Sequence, residues 1–196
     1  MSPGKSKRRS KKVGKQDLAI ASVLGAVRKQ LPLKPHELMQ HGLSYLAANF
    51  KSSKNLNGAV LQALVEECLR ANDVVPFYSE VTMQFVPVAR YDIIVYTRKF
   101  GPINLSLKTT LRERWKQAEF EGMALRRVHR RARVYVVNNS RIETVTRRNK
   151  RSQCEAIRDF IVCTTADFDK LIADLKSWRP THAKSVPIIK RGREHA

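Results

Sequence analysis

Apolar positions recur at helical spacing from Gln16 to about Leu31, where Leu18, Ala21, Leu24, Val27 and Leu31 form one stripe. This periodicity predicts an amphipathic helix. Pro32 and Pro35 punctuate its end, because proline lacks the amide donor that a helix interior uses. A second helix is expected over 36–49. A third is expected over 56–71 after Asn55, with Val60, Leu61, Leu64, Val65, Cys68 and Leu69 on its apolar face. The period then changes. Residues 81–88 and 91–97 are rich in Val, Ile, Phe and Tyr, and 103–108 continue in that manner after Gly101-Pro102. They predict three strands in a meander, with the turn at Lys99 to Pro102. Helical spacing returns over 111–128, with Leu111, Trp115, Ala118 and Leu125 toward the core. A short strand from Arg133 to Val137, a partly helical segment from Ile142 to Ala156, a strand from Phe160 to Cys163 and an amphipathic helix from Asp167 to Trp178 complete the pattern. The order is helices, then β-β-β-α-β, then further α and β, in one α/β domain.

Charge changes this picture at both ends. Residues 1–15 contain Lys5, Lys7, Arg8, Arg9, Lys11, Lys12 and Lys15 and no acid, so they are expected to form a disordered basic arm that repels itself and attracts phosphates. The Pro-bearing basic tail, 179–196, is expected to be irregular. Between them lies a single domain, 16–178, with 196 residues in all and a hydrophobic content of 42% that suffices for a core. A formal net charge of +21 predicts salt-sensitive attraction to polyanions. Charge alone suits a ribosomal or nucleoid protein as well as an enzyme. The segment 126–151 carries ten Lys and Arg residues against one acid, Glu143, and is expected to back phosphates without choosing sequence. Asn138-Asn139-Ser140 reads as a plain turn or as a loop entering a groove.

Cys68, Cys154 and Cys163 are too far apart for a zinc pair or a disulfide framework, and reduced, mostly buried thiols are expected. The five histidines show no ligand spacing. No apolar run has the length of a membrane helix and no signal-peptide core is present. A soluble, cytoplasmic protein without a membrane partner is therefore expected.

The candidate chemistry is concentrated in a short stretch. Asp92 heads the apolar run Ile93-Ile94-Val95, and Lys108 ends Ile103-Asn104-Leu105-Ser106-Leu107. Alternation along a strand puts Asn104, Ser106 and Lys108 on one face. A carboxylate and an ammonium at neighbouring strand ends can hold a divalent cation and a water beside a phosphate. Mg²⁺ takes oxygen ligands and keeps several waters, so two carboxylates and a main-chain carbonyl, that of Leu107, suffice. The acid that commonly stands two residues before such a lysine is replaced here by Ser106. Glu121, on the following helix, can supply the second carboxylate, and spacing leaves Glu119 as a competitor. Arg112-Glu113-Arg114 follow immediately, and these side chains match guanine and cytosine edges in the major groove. Glu113, Gln117 and Glu121 share one helical face over roughly 12 Å.

Asp92, Ser106-Leu107-Lys108 and Glu121 resemble the permuted active site of type II restriction endonucleases in the PD-(D/E)XK superfamily. In the branch that cuts CCGG-core targets, serine replaces the usual acid before the lysine and a glutamate on the next helix takes over. Arg112-Glu113-Arg114 are similar to the recognition element of that branch in enzymes cutting CC-N-GG or CC-W-GG sites. The likeness is firm over 92–121 and extends more loosely over 56–165. Tyr91 stands where the superfamily motif has proline, and the short spacing from Asp92 to Lys108 requires a tight hairpin. The resemblance implies a restriction-endonuclease-like α/β fold, with a central mixed sheet flanked by helices and additional N-terminal helices. It implies metal handling by Asp92, Glu121 and the Leu107 carbonyl, water activation by Lys108, and a weaker supporting role for Glu66 or Glu67. Double-stranded DNA, a homodimer and a cognate DNA methyltransferase are the implied partners. Residues 16–50 are candidates for dimerisation or DNA contact, and 56–178 for the catalytic core. The alternatives are a non-catalytic ribosomal or nucleoid-type binder and a structure-specific nuclease of the same superfamily.

Overall fold

The structure, a computed structural model, describes residues 14–84, 86–183 and 189–196. Residues 1–13 of the expected basic arm lie outside the described residues, and Lys15 belongs to the first helix. Three helices open the chain: α1 (Lys15–Arg28), α2 (Pro35–Asn49) and α3 (Lys54–Ala71). Ser53 caps α3 by accepting the Leu56 amide at 3.2 Å, which satisfies one of the donors a helix start leaves free. Then follow β1 (Phe77–Met83), β2 (Val86–Thr97), β3 (Gly101–Leu107), α4 (Arg114–Val128), β4 (Arg133–Asn138), α5 (Arg141–Arg148), a 3-10 turn at Arg151–Gln153, β5 (Ile157–Val162), α6 (Ala166–Ser177) and β6 (Ile189–His195).

The strands form one six-stranded sheet in the order β5-β4-β3-β2-β1-β6. β6, β1, β2 and β3 pair antiparallel, whereas β3, β4 and β5 run parallel. The sheet is therefore mixed, as expected, and its parallel half is covered on both faces. On one face α1, α2, α3 and α6 enclose a core that includes Val27, Leu38, Leu64, Ile93, Leu105, Val137 and Phe168. On the other, α4 lies over Tyr91, Ile94, Val134 and Val136 through Leu125 and Ala118.

Several boundaries differ from the sequence reading. The division between the first two strands falls near residue 84 rather than at 89–90, so 86–97 is one long strand. Asp92 consequently lies inside β2 and not at its head. A β-rich composition on both sides of the turn concealed the break. The C-terminal tail, expected to be irregular, contributes β6, which pairs with β1 from Phe77↔His195 to Met83↔Ile189. Its composition, Lys190, Arg191, Arg193 and Glu194, is that of an edge strand, where charge discourages further pairing. β5 begins earlier than expected, at Ile157. The segment read as partly helical resolves into α5 and the 3-10 turn.

One irregularity positions the site. Glu80 has φ 54°, a left-handed conformation rare for a side-chain-bearing residue. Before it, Phe77 belongs to the core under α1–α3 and Ser79 bonds Glu66 of α3. After it, Val81 and Met83 join the core under α4. β2 changes faces at the opposite point: Tyr91 and Ile94 face α4, whereas Ile93 and Val95 face the other core. Asp92 sits at that change of face.

Close packing of α4 on the sheet also depends on Gly122. A Cβ built there meets Ala156 Cβ and Val134 Cγ2, each at 2.9 Å. Gly122→Val is expected to lift α4 and lower stability by about 1–3 kcal/mol, measured by urea unfolding. An unchanged midpoint would show that α4 does not rest on this contact.

Candidate active site and recognition segment

The β2–β3 ladder runs as far as Ile93↔Leu105. Beyond that pair the Asp92 side chain takes the place of the ladder: its Oδ2 accepts the Leu107 amide at 2.7 Å and the Lys108 ammonium at 3.2 Å. The Lys108 side chain is 8% exposed and that of Asp92 34%. A buried ammonium needs such a partner, because unpaired charge in a protein interior is strongly disfavoured. The main chain of Lys108 is fixed from the other side. Its N–H donates to Val137 O at 3.0 Å, and Asn138 Nδ2 donates to its carbonyl at 2.8 Å.

Alternation along β3 is as the sequence predicts. Ile103, Leu105 and Leu107 pack in the core under α1–α3, so Asn104, Ser106 and Lys108 turn toward α4. Among the described residues Ser106 Oγ and both polar side-chain atoms of Asn104 are buried without a hydrogen-bond partner. Buried polar groups are ordinarily paired with protein or water, so this row is a place for solvent or ligand atoms rather than part of the apolar core.

Glu121 enters from α4. It is buried, accepts from Gln117 Nε2 at 2.8 Å, and its carbonyl accepts the Tyr91 hydroxyl at 3.2 Å. Burial raises its carboxyl above the ordinary range. Lys108 and the Gln117 bond oppose that shift, and the charge of Asp92 adds to it. The sensitivity to both charges means that Asp92, Lys108 and Glu121 share one electrostatic neighbourhood. The competitor Glu119 is engaged elsewhere. Its carboxylate accepts the amides of Glu155, Ala156 and Ile157 at 2.5, 2.7 and 3.0 Å and so anchors the entry to β5.

Glu66 and Glu67 are not gathered into this group. Glu67 forms a two-pronged bond with Arg28 at 2.6 and 2.7 Å, which holds its carboxyl below the usual range. Glu66 accepts from Ser79 at 2.7 Å and lies beside Arg70 and His195. Both serve the junction of α1, α3, β1 and β6. Their glutamate identity carried no signal of burial; Arg28 for Glu67 and Ser79 for Glu66, each distant in sequence, explain it.

Among the described residues no group of three or more His, Cys, Asp or Glu side chains gathers as a metal cage. A cation here would instead be held by Asp92, Glu121 and main-chain oxygen. These are hard donors, and Asp92 Oδ1 has no hydrogen bond among the described residues. With the unpartnered Ser106 hydroxyl nearby to receive water, the set fits Mg²⁺, which keeps much of its hydration shell.

The segment between β3 and α4 carries Arg112, Glu113 and Arg114, all exposed. Helix α4 starts at Arg114, with Glu113 as its N-cap residue and Arg112 before it, three residues after the start expected at 111. Arg112 and Arg114 form no ion pair among the described residues. Lys116 lies 2.5 Å from Glu113 and holds its carboxyl below the usual range. The arginine run that follows is dispersed. Arg98, Arg127, Arg130 and Arg131 line a cavity of about 1000 Å³ at the far end of α4. Arg148 is bound to Asp159 at 3.2 Å and Asp167 at 2.7 Å, and is not a free phosphate contact. Asn138 is no groove loop: it ends β4 fully buried.

This architecture is similar to a solved structure described as the restriction endonuclease PspGI in complex with its substrate DNA. The alignment covers 90% of this chain and 84% of that chain, with a TM-score of 0.53 and 14% sequence identity. The chain has a restriction-endonuclease-like fold. No protein-family model and no curated protein sequence matches it. No helix among the described residues is long and apolar enough to cross a membrane. The three thiols are free, with Cys68 and Cys163 buried and Cys154 partly so. Burial pushes the Cys163 thiol up to about 12.

The raised Glu121 carboxyl gives a stability prediction. A folded-state value above the unfolded one means that ionisation at neutral pH opposes folding, and that this opposition disappears once pH falls below the ordinary carboxylate range. In metal-free buffer Glu121→Gln should melt at a higher temperature than the native chain near neutrality, with the difference closing in acid. A lower melting temperature near neutrality would show that the carboxylate is a net stabiliser and that its burial is not strained.

Proposed function

We propose that the protein is a Mg²⁺-dependent, sequence-specific endonuclease of the type II restriction class, cutting double-stranded DNA at a G·C-rich palindrome of CC…GG type. The observation that carries this reading is the double engagement of Asp92 Oδ2 by the Leu107 amide and the Lys108 ammonium, with buried Glu121 beside them. Asp92 and Lys108 meet at the end of the β2–β3 pair, Glu121 comes from α4, and Lys108 stands a few residues before an exposed Arg-Glu-Arg.

In this reading Asp92, Glu121 and the Leu107 carbonyl hold the cation. When bound, Mg²⁺ lowers the pKa of a coordinated water and offsets charge developing on the phosphate. Lys108, pinned by Asp92, orients the attacking water by donating to it from its ammonium group. Ser106 keeps the displaced-acid position polar without adding charge, so Glu121 carries the second negative charge from α4. Gln117 restrains Glu121. Arg112 and Arg114 present forked donors to guanine edges, and Glu113 accepts from a cytosine amine. A palindrome calls for two-fold protein symmetry, hence a homodimer, and a cutter of this class in a cell implies a DNA methyltransferase that protects the same site. The working compartment is the cytoplasm.

Incubation of plasmid DNA with the protein and Mg²⁺ is expected to give discrete fragments, and sequencing their ends gives the site. Binding without cleavage across metals and salts would leave only the ribosomal or nucleoid-type reading. Cleavage that follows DNA structure without a fixed pattern would favour a structure-specific nuclease.

Asp92→Asn and Lys108→Ala are each expected to slow cutting by at least about a hundredfold while sequence-selective binding persists, read by gel retardation. Arg114→Ala should lose about 1–3 kcal/mol of discrimination per base contact removed. Normal cleavage by Glu121→Ala would remove Glu121 from the metal site.

A further inference from the structure

Helix α5 faces the back of the segment that carries Arg112, Glu113 and Arg114, and its hydrogen bonds to residues 111–114 are made to main-chain atoms. Glu143 Oε2 accepts the Leu111 amide at 2.6 Å. Arg147 Nη2 donates to the Arg112 carbonyl at 3.0 Å, and its guanidinium lies over the Trp115 ring, 4.8 Å from the centroid. Glu143 and Arg147 are four residues apart, which places them on the same side of the helix. Ile142, on another side, is 83% exposed.

The same helix reaches the lysine. Asn138 donates to the Lys108 carbonyl at 2.8 Å, and its Oδ1 accepts the Ser140 amide at 2.5 Å and the Thr144 hydroxyl at 3.3 Å. At its other end α5 is fastened by Arg148 to Asp159, Asp167 and the Phe160 carbonyl. The chain from Lys108 to Trp115 is thus held at four points by residues 138–147, and that bracket is itself tied to β5 and α6.

We infer that α5 is a positioning bracket that couples base reading to the lysine, with Glu143 and Arg147 setting the reach of Arg112 and Arg114 and Asn138 with Thr144 transmitting the position of α5 to Lys108. This rests on the reading of 112–114 as base-contacting. Base discrimination depends on donor placement within a fraction of an ångström, so a segment without regular secondary structure needs external fixation to read reliably. The Arg147–Trp115 contact, made by a half-buried arginine, stiffens the first turn of α4 from outside.

The test uses the full chain and a random-sequence duplex library, cut in Mg²⁺ and sequenced at the fragment ends, with a parallel selection of bound duplexes in metal-free buffer. For Glu143→Ala and Arg147→Ala, preference at the base pairs read by 112–114 is expected to fall about tenfold in both assays. Melting temperatures within a few degrees of the parent will show that the fold is kept. Glu143→Gln retains an acceptor for the Leu111 amide and is expected to restore the preference. A general structural defect would instead lower cutting of all sequences together and would not be rescued by glutamine. Should the parent protein select sequences while both alanine variants keep its preference, the bracket is overturned and the endonuclease reading stands. A slower but equally selective Glu143→Ala would overturn it as well. A parent that neither cuts nor selects overturns the reading on which the bracket rests.

Discussion

Keeping an ammonium group charged inside a folded protein is the constraint around which this site is arranged. The side chain of Lys108 is almost entirely removed from solvent, and a cation in that position is tolerated only with an anion in contact and its own main chain satisfied. Asp92 supplies the anion and caps the adjacent amide with the same oxygen. For Asp92 to reach there, β2 must release β3 and change the faces it presents, and β1 makes the matching change at Glu80. A local inversion in the sheet, a broken ladder and an ion pair are therefore one feature seen at three scales.

The second carboxylate follows from the same electrostatics. Burial raises the Glu121 carboxyl, and the charge of Asp92 adds to that shift. Ser106 makes sense in these terms. A third charge directly on β3 would crowd Asp92, and Ser106 adds none. The packing that brings it depends on Gly122, the next residue, whose missing side chain lets the helix settle against Val134 and Ala156.

Much of this was legible in the chain. The alternation of Asn104, Ser106 and Lys108 against Ile103, Leu105 and Leu107 is local and survives folding intact. So do the helical stripes of α3 and α4, which pack on the sheet. The stripe read for α1 is turned: Leu18 and Leu31 are exposed, and Ala19, Val23 and Val27 are the buried residues, in a helix that packs on α2 and α3. The choice between Glu119 and Glu121 was not legible, since what separates them is a set of amides at 155–157 brought there by a parallel crossover. Glu66 and Glu67 looked like solvated helix acids or supporting carboxylates, but Arg28 and Ser79, distant in sequence, give them other work. β6 was hidden by its own edge-strand composition, which differs little from that of an unstructured basic tail. Asn138 had no signal beyond its place after a strand, and its value comes from a carbonyl 30 residues earlier.

The segment from Leu111 to Trp115 is gripped by its amide, its carbonyl and the indole face, and none of the grip involves the side chains of Arg112 or Arg114. Those two positions are thus decoupled from the stability of the fold. Among the described residues their side chains can be exchanged without removing a bond that holds the loop. Under the proposed endonuclease reading, such a scaffold permits what is recognised to change while the proposed cutting centre and its supports stay constant.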